Sequence, residues 1–183
     1  MIIDTLWDNI FRGGRKGERR ILDFLVEIPI FENLSLRELR TLEKMVYVRR
    51  HGPGEPIFHQ GDPSLGMYIV KSGTVRIIRQ FPEGQPRVMA TLTVGEFFGE
   101  LGLIDDAPRS AAAVAQDATE VIGFFKPDLM ALINHTPGLG LKILLRVANV
   151  LSARLRRTHE ELEQLLQTQP DETETRERIR VTY

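Results

Sequence analysis

The apolar and polar positions divide the chain into a helical beginning, a strand-rich middle and a helical end. Apolar residues recur at helical spacing in Arg20–Ile28, which Pro29 closes, and again between Leu36 and Met45. Ser35 and Glu38 stand at the two positions of a capping box, in which each side chain bonds the amide of the other residue. Two short helices are therefore predicted before the first strand.

The middle of the chain, from Tyr47 to Phe125, consists of short segments rich in Val, Ile, Phe and Thr. Turn signals separate them, among them Gly61-Asp62-Pro63 and Pro82-Glu83-Gly84. Many short strands at even spacing are typical of a small antiparallel barrel or jelly roll. The predicted strands are Val46–His51, Pro56–Gln60, Gly66–Lys71, Thr74–Gln80, Arg87–Leu92, Ser110–Ala115 and Ala118–Phe124.

The helical pattern returns after Phe125. Pro127 suits the first turn of a short helix that runs to about Asn134, and Pro137-Gly138 breaks it. A long helix follows, from about Leu139 to Gln167. Its apolar stripe alternates four and three residues apart, as in a coiled coil: Leu144, Ala148, Leu151, Leu155, Thr158, Leu162 and Leu165. Packing on the chain's own barrel explains the first half, whereas for Arg154–Gln167 a seam between two copies is an equal alternative.

The N-terminal residues 1–11 also have apolar residues at helical spacing, followed by a basic run. We favour packing of this segment on its own domain or a partner over attachment to a membrane surface, because anionic headgroups would repel Asp4 and Asp8. The segment lacks the features of a secretory signal, and no run is long and apolar enough to span a bilayer. We therefore expect a cytoplasmic protein.

A chain of 183 residues can bury one full core plus extensions. The expected fold is α+β, an antiparallel β-barrel or jelly roll (double-stranded β-helix) flanked by N-terminal helices and a long C-terminal helix. The predicted segments are a helical extension (1–30), the β-barrel domain (31–135), the C-terminal helix (136–168) and a polar tail (169–183), which reads as frayed or disordered.

Composition and charge exclude several kinds of site. Lys and Arg total 24 against 25 Asp and Glu, so no global field points to nucleic acid or a membrane. The chain has no Cys, which excludes disulfides, zinc–thiolate sites and cysteine nucleophiles. The four histidines form no His-X-His pair of a cupin-like metal site, and no nucleophile–base pattern is present. We therefore predict no catalytic residues, no metal and no cofactor.

The segment Gly95–Ala111, GEFFGELGLIDDAPRSA, combines a turn glycine, a carboxylate and an arginine. Gly99 permits a tight turn, and the first amides of a helical turn beginning there would point toward an anion. Arg109 adds a permanent cation that matches phosphate oxygens, with the Ser110 hydroxyl beside it. Glu100 would repel a phosphate, so its natural partner is a hydroxyl such as that of ribose. This set predicts a pocket for a small cyclic phosphate diester, although a loop-closing salt bridge between Glu100 and Arg109 is the plain alternative.

The full string resembles the phosphate-binding cassette of the cyclic nucleotide-binding domain family. This family supplies the effector module of the catabolite activator protein, of the regulatory subunits of cyclic-AMP-dependent kinase and of cyclic-nucleotide-gated channels. Its pattern F-G-E-(L)-(A/G)-L, a short variable loop and P-R-(S/T/A)-A stands here as Phe98–Leu103, Ile104–Ala107 and Pro108–Ala111. Gly61-Asp62 and Met67–Val75 are similar to the family's other fixed stretch. The resemblance covers most of the chain.

The resemblance implies that Glu100 accepts the ribose 2′-hydroxyl and that Arg109 pairs with an exocyclic phosphate oxygen. Leu103 resembles the family's apolar coupling residue, and the helix from Leu139 onward takes the place of the one that moves over the base. Backbone amides and Ser110 would complete the phosphate cradle. The implied ligand-binding residues are Gly99, Glu100, Leu101, Gly102, Arg109, Ser110 and Ala111.

The resemblance thus implies a receptor whose ligand is cyclic AMP or cyclic GMP. Cyclic AMP is favoured, because Ser110 resembles the serine of the bacterial activator that binds it. Only about fifteen residues follow Gln167, too few for a helix-turn-helix domain. We therefore expect a stand-alone sensor that repositions its helices towards an unidentified protein partner and makes no contact with nucleic acid. The alternatives are an effector domain of the catabolite activator type without its DNA-binding part, and a barrel used only for protein interaction.

Overall fold

The computed structural model describes residues 20–168, and the predictions for residues 1–11 and for the tail after Thr168 lie outside them. Before the strands come α1 (Ile21–Leu25), a 3-10 turn (Pro29–Phe31) and α2 (Leu36–Glu43). A four-residue helix, α3 (Leu101–Ile104), precedes the last two strands, and α4 (Lys126–His135) and α5 (Pro137–Thr168) follow them. The strands are β1 (Tyr47–His51), β2 (Pro56–Phe58), β3 (Gly66–Ser72), β4 (Val75–Arg79), β5 (Arg87–Leu92), β6 (Phe97–Phe98), β7 (Ala112–Ala115) and β8 (Thr119–Phe125).

The predicted capping box at the start of α2 is confirmed. The Ser35 amide donates to Glu38 Oε2 at 2.7 Å, and the Glu38 amide donates to Ser35 Oγ at 3.4 Å. The helix before it is shorter than predicted, because α1 ends at Leu25. α1 is tied to α2 by a bond from the Leu22 amide to Glu43 Oε1 at 3.2 Å.

The strands form two antiparallel four-stranded sheets, ordered β1-β8-β3-β6 and β2-β7-β4-β5. Within residues 20–168 no strand of one sheet pairs with a strand of the other, so the arrangement is jelly-roll-like rather than a closed barrel. All seven predicted strands are present, with ends displaced by at most two residues. The fold class predicted from the sequence is confirmed, and of its two forms the jelly roll is the correct one.

Two further local details differ from the prediction. The strand β6 was not predicted, because two residues have no periodicity; it exists because Phe98 pairs with Tyr68 and Phe97 with Ile69 of β3. The break before the long helix falls at Thr136, which has φ −142° and ψ 67°, and Pro137 is already the first residue of α5. Pro137 therefore begins a helix rather than interrupting one, as its fixed φ allows.

The space between the sheets is filled by apolar side chains. The buried members of this cluster are Val70, Val75, Phe98, Ala113 and Val121, and Ile57, Phe58, Tyr68, Ile77 and Leu92 pack against them. Successive side chains of a strand point to opposite faces, so Met67 and Ile69 of β3 lie on the other side of the sheet. Both are fully buried, which shows that β3 is covered on its two faces.

The chain divides into two compact units, residues 1–143 and 144–183. In the second unit, which the structure describes up to Thr168, α5 continues as a helix with charged pairs such as Arg157 Nε to Glu161 Oε1 at 2.9 Å. Several of its leucines are exposed. Among the helices of residues 20–168, none has the length and apolarity needed to cross a bilayer. The predicted division at residues 30, 135 and 168 stays a prediction.

Candidate functional site

The predicted segment forms a tight turn between β6 and α3. Gly99 has a φ of +73°, in the left-handed region that favours glycine, and Glu100 follows with helical angles. A Cβ on Gly99 would lie 2.5 Å from Arg109 Nη1. Glycine is therefore required twice at this position, by its backbone conformation and by the closeness of the arginine.

The backbone of Arg109 is fixed by the turn that precedes β3. The Gly61 amide donates to the Arg109 carbonyl at 2.8 Å, and the Arg109 amide donates to the Asp62 carbonyl at 2.9 Å. The Asp62 carboxylate closes this turn by accepting the His59 amide at 2.7 Å. The Gly61-Asp62 stretch therefore places Arg109 against the cassette, although the two are far apart in sequence.

The guanidinium of Arg109 donates two hydrogen bonds to backbone carbonyls. Nη1 donates to the Gly99 carbonyl at 2.9 Å and Nη2 to the Gly66 carbonyl at 2.8 Å, so neither bond forms the loop-closing salt bridge with Glu100. The guanidinium carbon lies 4.2 Å from the centroid of the Phe58 ring, a cation–π geometry. Together these contacts fix the plane of the guanidinium.

Arg109 is 7% exposed, and its Nε atom is buried with no hydrogen-bond partner in the part of the chain that the structure describes. Burial lowers the pKa of the guanidinium from its ordinary value, while Tyr68, Glu100 and Asp62 favour the charged form. An arginine stays protonated in proteins even so. The result is a buried cation with an unused donor.

A pocket of about 170 Å³ opens beside this cation, entirely within the first unit. Of the predicted binding residues, six line it: Gly99, Glu100, Leu101, Arg109, Ser110 and Ala111. Glu100 is only 5% exposed, so one wall carries a buried carboxylate and another a buried guanidinium. Such a pocket offers an acceptor for a hydroxyl and a donor for an anion.

Gly102 is the predicted residue that does not line the pocket. Its amide donates to the Gly99 carbonyl at 3.1 Å. A Cβ on Gly102 would stand 2.3 Å from Ser64 Oγ and 3.1 Å from the Gly66 carbonyl oxygen. The structure thus gives Gly102 a packing role, in which α3 comes close to the start of β3.

Sequence reasoning missed the pocket residues that other strands and the loop after α3 contribute. They are Phe58, Ser64, Ile77, Asp105, Ala107 and Pro108. Ser64 lies two residues after the Gly61-Asp62 stretch, and this was the signal that could have drawn attention to it. Ile77 and Phe58 carry no such signal, because an apolar residue in a strand looks the same whether it faces a core or a ligand.

The residues that line the pocket lie in a part of the chain that matches a known family. Residues 48–136 match the family described as the cyclic nucleotide-binding domain. The Cyclic AMP receptor protein of Thermus thermophilus is 39% identical over 137 residues, which make up 75% of this chain and 62% of that protein. The crystal structure of the Thermus thermophilus Catabolite Activator Protein, also 39% identical, has a TM-score of 0.68.

Two further similar proteins differ in how much of their own length the match covers. A cyclic nucleotide-binding domain from Methylobacillus flagellatus is 28% identical, has a TM-score of 0.70, and the match covers 83% of this chain and 84% of that one. The cAMP-dependent protein kinase regulatory subunit of Hypocrea atroviridis is 32% identical over 67% of this chain but only 26% of its own length.

Residues 48–136 therefore match the cyclic nucleotide-binding domain family that the cassette resembles. It spans less than two thirds of the Thermus receptor and about a quarter of the fungal subunit. The named relatives are a receptor, an activator and a regulatory subunit rather than catalytic proteins.

Proposed function

We propose that this chain is a receptor for a cyclic nucleotide, with cyclic AMP preferred over cyclic GMP, and that the pocket beside Arg109 is its binding site. In this proposal Arg109 pairs with an exocyclic phosphate oxygen and Glu100 accepts the ribose 2′-hydroxyl. The backbone around Gly99 and Leu101, together with Ser110 and Ala111, surrounds the phosphate.

The observation that carries the proposal is the state of Arg109. A buried guanidinium gains most from a partner of opposite charge, yet this one bonds two neutral carbonyls and keeps Nε unpaired within the described residues. A phosphate oxygen supplies both the charge and the missing acceptor. A carboxylate ligand would do the same for Arg109 but would give Glu100 no hydroxyl to bind.

The preference for cyclic AMP is supported by the names of two relatives and by Ser110. The Thermus receptor and the fungal kinase subunit are both named for cyclic AMP. The base itself would be read outside the cassette, because the pocket residues around Glu100 and Arg109 suit the ribose and phosphate that both nucleotides share.

Isothermal titration of the full chain with cyclic AMP and cyclic GMP tests the proposal. We expect micromolar or tighter binding of cyclic AMP and weaker binding of cyclic GMP. Linear 5′-AMP is the control, because it has the same base and ribose but no cyclic diester. The absence of binding of both cyclic nucleotides at high micromolar concentration would overturn the proposal, and tighter binding of cyclic GMP would reverse the preference.

We also propose a non-catalytic, cytoplasmic role in which ligand binding repositions helices towards a protein partner. Pairing of two copies through α5 is part of this proposal. It is supported by the leucines of the second unit, since Leu155, Leu162 and Leu165 are 57%, 51% and 66% exposed. A stripe of apolar residues at coiled-coil spacing gains free energy when a second helix covers it.

Light scattering measures whether the particle contains one chain or two, with and without cyclic AMP. We expect two chains in at least one of these states, and Leu162→Glu should shift the mass to one chain. A single chain in both states contradicts the pairing and leaves the binding proposal intact.

A further inference from the structure

Ser64 has an unusual position for a polar residue. It lies in the loop between β2 and β3 and is 7% exposed, yet its side chain makes no hydrogen bond with any residue of the described range 20–168. It is also one of the residues that line the pocket. The Ser64 Oγ keeps some accessible surface, and the pocket that Ser64 lines is a space in which this hydroxyl can meet a hydrogen-bond partner.

Ser64 lies at the arginine side of the pocket. Its Oγ and the Gly66 carbonyl oxygen both border the point where a Cβ of Gly102 would stand, at 2.3 Å and 3.1 Å. The same Gly66 carbonyl accepts the bond from Arg109 Nη2 at 2.8 Å. The Ser64 hydroxyl and the Arg109 guanidinium therefore lie in the neighbourhood of the same carbonyl group.

We propose that Ser64 is a further binding residue, whose hydroxyl donates to an exocyclic phosphate oxygen of the bound cyclic nucleotide. The inference rests on the proposed function, since it needs the phosphate at Arg109. Neither the family pattern nor the sequence motif assigns Ser64 a role. Arg109 Nε and the Ser64 hydroxyl, which have no hydrogen-bond partner within residues 20–168, would then both donate to the same phosphate group.

The alternative explanation for the position of Ser64 is that the residue serves only to pack against α3. The residue touches Gly102, and a small side chain is needed there whether or not it has a hydroxyl. The two roles differ in what Ser64→Ala does without ligand. The alanine keeps the small volume and removes a hydroxyl that makes no hydrogen bond within residues 20–168, so the melting temperature of the unliganded protein should stay the same or rise.

The test is titration of wild type and Ser64→Ala with cyclic AMP and with its two phosphorothioate diastereomers, in which sulfur replaces one exocyclic oxygen or the other. We expect Ser64→Ala to weaken cyclic AMP binding about tenfold, as one hydrogen bond to a charged group allows. That factor should persist for one diastereomer and shrink towards one for the diastereomer whose sulfur takes the place of the accepting oxygen. Ser72→Ala, at the other end of β3 and outside the pocket, is the matched control and should leave affinity unchanged.

The outcomes separate the two proposals. If the wild type binds neither cyclic nucleotide, the proposed function fails, and this inference fails with it. If the wild type binds cyclic AMP and Ser64→Ala binds it equally well, or loses the same factor for both diastereomers, only the role of Ser64 is overturned. A fall in the unliganded melting temperature that matches the loss of affinity would also overturn it, in favour of packing.

Discussion

Two clusters of charge in this molecule are built on opposite principles. On the sheet that contains β1, β8 and β3, Glu120 bonds two cations: Arg50 Nε donates to its Oε1, and Lys71 Nζ lies 2.6 Å from its Oε2. At the pocket, Arg109 bonds two carbonyls and an aromatic ring and has an unpaired Nε within the described residues. In the first cluster the carboxylate of Glu120 is paired with two cations, whereas in the second the Nε donor of Arg109 has no partner within the described residues.

The pKa shifts express this difference. Partial burial alone would raise the pKa of Glu120, but the bonds from Lys71 and Arg50 outweigh it and hold the pKa below its ordinary value. For Arg109 the balance is reversed, because burial lowers the pKa and the nearby groups do not compensate. A charge whose surroundings favour it serves stability, whereas a charge that its surroundings penalise is suited to a ligand.

Among the variants that test this difference between the two clusters, Arg109→Ala should have the largest effect. It removes the phosphate partner, so the affinity for cyclic AMP should fall about 100-fold or more, measured by calorimetry. Arg79→Ala is the matched control, since Arg79 stands at the end of β4 against Phe81, with its guanidinium carbon 5.3 Å from the ring centroid, and outside the pocket. Equal affinities of Arg109→Ala and wild type would mean that the anion binds elsewhere.

Glu120→Ala should have the opposite profile. Lys71, whose side chain is 11% exposed, would lose its carboxylate partner, and the free energy of unfolding should fall by about 1–2 kcal/mol in urea denaturation. The affinity for cyclic AMP should stay within about twofold of wild type, because the cluster is not part of the pocket. The smallest effect is expected for the control Glu161→Ala, which removes an exposed pair with Arg157 and should change stability by less than about 0.5 kcal/mol. A large loss of affinity in Glu120→Ala would show that the two clusters are coupled.

Local signals accounted for much of the fold. The capping box of α2 depends on residues three apart, and the seven predicted strands depend on alternation and turn residues, so both were found. The two-residue strand β6 was missed because it exists only through its pairing with Tyr68 and Ile69. The extent of α1 was overestimated because apolar residues at helical spacing continue past the point where the helix ends at Leu25.

The candidate site shows the same difference between what local sequence signals predict and what contacts between distant residues decide. Six of the seven predicted residues line the pocket, because Gly99–Leu101 and Arg109–Ala111 are neighbours in sequence and the turn brings them together. Gly102 has the right place in the motif but faces Ser64 and Gly66 instead. Its direction depends on how α3 meets the beginning of β3, which no spacing rule contains.

What the sequence determined by itself was the set of chemical groups at the candidate site, since a glycine, a carboxylate and an arginine stand within eleven positions, Gly99 to Arg109. The tertiary structure alone decided how that chemistry is arranged. It brought the Gly66 carbonyl, 43 residues away from Arg109 in sequence, and the Phe58 ring against the guanidinium, and it placed Ser64 in the wall of the same pocket. The physical reason is that residue types fix which bonds a group can make, whereas burial and the pairing of distant strands fix which of those bonds remain for a ligand.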